Sequence, residues 1–193
     1  MLSLPQICVN MAKFEDRKLV EMVLYILNRT GGTDFYHVFK ILYFAEIKHL
    51  AKWGRNITPD TFCALDYGPV PSDLYNAVKE QESPHSELAR LLKESTTFAG
   101  ADAPYVMLAN RDADTKYLSK SEREMLDASI DENANLTFRQ LMTKSHDAAW
   151  KNAFENGTGR REISLIEMAM AAGVDDVMLD YIKERLELKA ALA

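Results

Sequence analysis

Hydrophobic positions crowd one stretch of the chain more than any other. Between Phe35 and Ala51, the residues Phe35, Val38, Phe39, Ile41, Leu42, Tyr43, Phe44, Ala45, Ile47, Leu50 and Ala51 cover almost the whole circumference of a helical wheel. A helix apolar on nearly every side belongs in the middle of a domain. Lys40, Lys48 and Lys52 are its expected solvent contacts, since their stems can run along apolar surface while the charge stays in water. Asp34 is placed to cap its start and Gly54 to end it in a left-handed conformation. Upstream, Phe14 to Asn28 reads as a first helix with Leu19, Val20, Val23, Leu24 and Leu27 inward, stopped by Gly31-Gly32. Downstream, Pro69 and Pro71 fix their own backbone angles and push Gly68 and Val70 toward extended ones. Tyr67 to Pro71 is therefore a rigid, narrow elbow, after which Ser72 is the expected cap of the next helix.

The remaining pattern is shorter-ranged. Thr61 to Asp66 predicts a short strand. Ser72 to Glu80 and Ser83 to Glu94 predict helices, the second capped by Ser83 with Pro84 at its first position. Tyr105 to Ala109 and Thr115 to Leu118 flank a polar Asn-Arg-Asp-Ala-Asp segment and predict a β-hairpin with a long loop. Ser119 with Glu122 forms a capping box for a helix to about Asn133, and Thr137 caps another through Phe138, Leu141 and Met142. Trp150 and Phe154, four apart, share one apolar face. The polar Asn156 to Arg161 run is the clearest boundary. Past it, Ser164 with Glu167 opens a short helix ending at Gly173, and Asp175-Asp176 opens the last one. Their apolar stripes are Leu165/Ile166/Met170 and Met178/Ile182/Leu186. The expected fold is mainly α, of the α+β kind: a helical bundle around a buried central helix, with a small antiparallel β-hairpin or sheet. Residues 13–155 form the domain. Residues 156–193 are a linker and helical extension, packed on that domain or at an interface such as a homodimer contact.

Composition narrows the classes. With 193 residues of which 47% are hydrophobic, the chain can bury one good-sized core. A formal charge of -6 argues against a broad nucleic-acid surface, which needs clustered Lys and Arg. Cys8 and Cys63 have no C-x-x-C or zinc spacing, so free thiols in a reducing, cytoplasmic setting are expected. The first ten residues lack a basic start and a cleavage site, no apolar run reaches membrane-spanning length, and Met11 is an alternative start.

Candidate chemistry centres on few residues. There is no phosphate-binding Gly-x-x-x-x-Gly-Lys loop, no Gly-x-Ser-x-Gly elbow and no His-Glu-x-x-His helix. Glu46-x-x-His49 has the spacing that supplies two ligands to di-iron bundles, but the second such pair those sites require is missing, so no metal is expected. Glu46 and His49 both face inward on the wheel. Buried polar groups need partners, and those expected are each other, the Tyr67 to Pro71 elbow and His146. His146 beside Trp150 invites an acid-base reading, in which Glu46, His49 and His146 would serve a hydrolase. The plainer reading makes Trp150 core, His146 a cap or hydrogen-bonding residue, and His37 and His85 ordinary surface or helix-start residues.

In order, the chain carries Lys40-x-Leu-Tyr43-Phe-Ala45, then His49-Leu-Ala-Lys-x-Gly-Arg55, then Tyr67-Gly68-Pro69-Val70, then Ser145-His146 followed by Trp150. This series resembles the Panacea domain of SocA-like antitoxins and GepA-like phage-associated proteins, over roughly residues 17 to 155. Glu46 stands where that family usually has Gln, and Ala149 where the Trp is usually preceded by Pro. The resemblance implies an antitoxin that binds and neutralises a cognate toxin protein by contact and without chemistry; no cofactor is expected, and charge and hydropathy predict no direct nucleic-acid contact and no membrane. An adaptor that delivers a bound partner to another machine is the alternative within the same resemblance.

Overall fold

The computed structural model describes residues 4–191, with side chains from residue 13 onward. The Cys8 side chain lies outside the described residues. Helix α1 (Leu4–Thr30) starts well upstream of Phe14 and buries Leu19, Val20, Met22, Val23, Leu24, Ile26 and Leu27. A two-residue strand, β1 (Thr33–Asp34), leads into α2 (Phe35–Trp53), the central helix. Its ends are built as the sequence predicts: Asp34 accepts from the His37 amide, and Gly54 at φ 59 donates its N–H to the Leu50 carbonyl. His37 is more than a helix-start residue. Its ring bridges Asp34 Oδ2 and the Leu136 carbonyl, at 2.7 Å each, and the Asp34 carboxylate raises its pKa.

Strands β2 (Phe62–Leu65) and β3 (Gly68–Pro71) form a two-residue hairpin, so the expected elbow is the second strand of that pair. Ser72 does not cap α3 (Ser72–Lys79); it is the first helical residue. The cap comes from across the loop, where Asp60 accepts from the Asp73 and Leu74 amides. Helix α4 (Glu87–Ser95) is capped by Ser86 and not by Ser83, because the chain from Ser83 to His85 is still irregular. The predicted hairpin between Tyr105–Ala109 and Thr115–Leu118 is also corrected. Strand β5 (Val106–Ala109) pairs with β4 (Thr96–Phe98) and with β1, giving an antiparallel sheet ordered β1-β5-β4, while Thr115–Tyr117 is a 3-10 turn. Helices α5 (Lys120–Asn133), α6 (Phe138–Ser145) and α7 (Ala148–Asn156) start at Ser119, Thr137 and Asp147 caps, the first two being complete capping boxes. α5 packs along α2.

The elements after α7 pack back on α2, α7 and β2. Segment 161–163 lies beside β2, with Ala64 donating to the Arg161 carbonyl and Ile163 to the Phe62 carbonyl. Helix α8 (Leu165–Ala171) buries Met168 and Ala169 and packs Leu165 against the core as predicted, whereas Met170 of the predicted stripe is 61% exposed. Helix α9 (Asp176–Ala191) buries Ile182 with Met178 and Leu186 half-buried, as its stripe predicts, and Arg185 Nη1 reaches the Gly54 carbonyl at 3.1 Å. The architecture is mainly α, of the α+β kind, with nine α-helices and two small antiparallel sheets among the described residues. No helix among them is long and apolar enough to cross a membrane.

Candidate functional site

The β2–β3 register decides how the Gly/Pro segment is held. Leu65 pairs with Gly68 and Cys63 with Val70, and Ser72 donates to the Thr61 carbonyl, so these residues turn their amides toward each other. Pro69 and Pro71 occupy the alternate positions, where no amide is needed. The outer carbonyl of Pro69 then accepts from Lys40 Nζ at 2.7 Å. Lys40 was expected in solvent; it is fully buried, because this carbonyl and the Tyr36 ring, 4.6 Å from the ammonium, replace water. Burial brings its pKa down to about 7.

Two further side chains hold the same turn by its carbonyls. Tyr36 donates its hydroxyl to Tyr67 O at 2.9 Å, and Trp150 donates Nε1 to Leu65 O at 2.9 Å. Tyr36 and Lys40 are one helical turn apart on α2, and Trp150 comes from α7, so three alternate carbonyls are tied from two sides. Gly68 makes the approach feasible. At φ 98, an added Cβ would lie 2.6 Å from Ser145 Oγ and 2.9 Å from Lys40 Nζ.

Around Trp150 the aromatic groups form a column. His146 ends α6 and stacks on Trp150 at 3.6 Å with a 7° interplanar angle; Phe154 also stacks on Trp150, at 4.8 Å and 21°. His146 Nε2 is buried without a hydrogen-bond partner among the described residues. Burial, and then the charge of Lys40, hold its pKa below the ordinary value. Asp147 caps α7 with one carboxylate oxygen and accepts from the Tyr43 hydroxyl with the other, both at 2.9 Å. Burial, reinforced by that carboxylate, drives the Tyr43 pKa upward.

Glu46 and His49 point inward, but their partners are not those expected. Glu46 accepts from the Ile57 amide at 3.1 and 3.2 Å and from the Thr58 amide at 2.7 Å. His49 donates from Nδ1 to the Arg55 carbonyl at 2.7 Å, which leaves Nε2 to accept from Ser121 Oγ at 3.1 Å. Both therefore secure the loop after α2 instead of the Tyr67 to Pro71 segment, since that loop folds back beside the helix that carries them. No hydrogen bond among the described residues joins Glu46, His49 and His146. No group of three or more His, Cys, Asp or Glu side chains is arranged to hold a metal among those residues. Cys63 is a free, buried thiol whose pKa burial raises.

Lys40, Tyr43, Tyr67, Gly68, Pro69, Val70, His146 and Trp150 thus meet at or beside one hairpin. Sequence reasoning missed the parts played by Tyr36 and Asp147, and quoted Ser145 only as part of the Ser145-His146 motif, without its closeness to Gly68. The i−4 spacing of Tyr36 from Lys40, and the Asp-x-x-Trp cap pattern at Asp147, were the available signals. Beside the hairpin, against α2 and α3, lies a cavity of about 490 Å³, lined by Phe35, Tyr36, Phe39, Tyr67, Tyr75 and Tyr105 among others.

Residues 38–151, more than half of the chain, match the family model described as antitoxin SocA-like, Panacea domain. No curated protein and no solved structure matches the chain.

Proposed function

The chain belongs to the family of SocA-like antitoxins with a Panacea domain, and from that membership we propose that it binds a cognate toxin protein and neutralises it by direct contact, without chemistry of its own. The observation that carries this reading is where the family match falls. It covers most of α2, the hairpin and the first turn of α7, and so takes in Lys40 and Trp150, two of the three side chains that hold the hairpin turn by its carbonyls. In this reading Lys40, Tyr43, Gly68, Pro69, Val70, His146 and Trp150 shape a binding surface that presents Tyr67. Glu46 and His49 support it from beneath by fixing the neighbouring loop.

The same reading places the complex in the cytoplasm and gives the isolated chain no duplex-DNA partner, in keeping with a formal charge of -6. Co-expression with the adjacent gene tests it. Growth arrested by that gene alone should be restored by this chain, and the two proteins should co-purify. Arrest that persists with both proteins present and soluble would refute neutralisation.

A further inference from the structure

Resting on the antitoxin reading, we propose that the aromatic groove beside the hairpin turn is the surface that receives the toxin, and that its occupant is a toxin segment inserting large apolar side chains with Lys or Arg beside them. The groove concentrates aromatic surface. Phe35 packs edge-on against Tyr105 at 5.7 Å and lies at the same distance from Phe39, which meets Tyr75 at 6.2 Å. On the other side, Phe138 packs on Tyr36 at 4.4 Å and on Tyr67 at 5.6 Å, so the aromatic surface continues across the hairpin turn. Tyr67 is 63% exposed and Tyr105 64%, so the groove ends in aromatic surface left in water, of the residue type enriched where interfaces are buried.

The backbone under Tyr67 is tied down through the carbonyls of Leu65, Tyr67 and Pro69, so its ring is offered from a fixed frame and loses little freedom on binding. The cavity of about 490 Å³ has room for large side chains of a partner. Charge selects the flanking chemistry. Asp66 in the hairpin turn and Asp102, two residues before the groove residue Pro104, are exposed and form no ion pair among the described residues. Lys79 is the cation lining the groove, and its ammonium sits over the Tyr75 ring at 5.1 Å. A basic segment therefore meets an acidic rim on a chain that is itself acidic.

The test uses the full chain and the protein encoded by the adjacent toxin gene. Affinity and growth rescue are compared for wild type, Tyr67→Ala with Tyr105→Ala, Asp66→Lys with Asp102→Lys, and an α9 control, Val177→Asp with Leu188→Asp. Thermal melting confirms that each exposed-residue variant remains folded. The tyrosine pair should weaken binding at least 100-fold and abolish rescue. The aspartate pair should weaken it about tenfold and flatten its salt dependence. The α9 control should bind as wild type. Groove variants that bind within threefold of wild type overturn the proposal while leaving the antitoxin reading intact, and loss confined to the α9 variant moves the interface to the tail. A wild-type chain that neither binds nor rescues overturns both.

Discussion

Lys40 and Glu46 lie less than two turns apart on the same buried helix, and each reaches a different non-helical segment. Lys40 gives one hydrogen bond to the Pro69 carbonyl and rests its charge on an aromatic face. Glu46 takes bonds from two successive amides, those of Ile57 and Thr58. The hairpin does not depend on Lys40 alone, because Tyr36, Trp150 and the β2 ladder hold it too. The 55–58 loop has fewer supports, chiefly Glu46 and His49. A cation in the core is thus one clamp among several, whereas the carboxylate is the principal one for its segment. Burial pushes both groups toward neutrality, Lys40 down to about 7 and Glu46 up to about 7.

Substitution at Gly68 should show the hairpin at its most sensitive. Gly68→Ala places a methyl group against Ser145 and Lys40 at a positive φ, and is expected to cost about 3 kcal/mol or more, read as a fall in denaturant midpoint. Next comes the loop. Glu46→Ala leaves the Ile57 and Thr58 amides without their acceptor and should destabilise by about 1 to 3 kcal/mol, while Glu46→Gln should lose less. If Glu46→Ala is fully stable yet inactive, the residue belongs to a functional site and the comparison is wrong.

The two groups also predict opposite pH limbs. Between 4.5 and about 7 the folded chain keeps a proton on Glu46 that the unfolded chain has released. Its contribution is therefore present below 4.5 and is lost as pH rises through about 7. For Lys40 the folded chain has released a proton that the unfolded chain keeps between about 7 and 10.5. Its contribution is present above 10.5 and is lost as pH falls through about 7. Subtracting the Glu46→Gln stability curve from wild type should isolate a falling acid limb, and subtracting Lys40→Met a rising alkaline one. Flat difference curves would show that neither group is titrating in the folded core.

The smallest effect is expected for Lys40→Met at neutral pH. The Pro69 carbonyl loses its donor, but an ammonium no longer has to leave water, and the net change should stay within about 1 kcal/mol by chemical denaturation.

Local signals in the sequence were legible, and long-range partners were not. The Asp34 and Gly54 ends of α2, and the capping boxes at Ser119 and Ser164, are written within a few residues and occur as read. Asp60 capping α3 from the preceding loop, and β4 rather than Thr115–Leu118 pairing with β5, depend on contacts between segments that carry no mutual mark in the sequence. The helical wheel put Glu46 and His49 inward correctly but had no means of choosing between the two segments they could hold. It sent Lys40 outward because periodicity assigns a lone charge on an apolar helix to water. Only the folded hairpin supplies the carbonyl and the ring that receive it.

The most direct test of this division is amide hydrogen exchange on Lys40→Met and Glu46→Gln beside wild type. Lys40→Met should raise exchange at the hairpin amides of Leu65, Gly68 and Val70 while leaving Ile57 and Thr58 as in wild type. Glu46→Gln should raise exchange at Ile57 and Thr58 and spare the hairpin. Exchange that rises in the same segment for both variants, or uniformly across the chain, would contradict two separately anchored segments on one central helix.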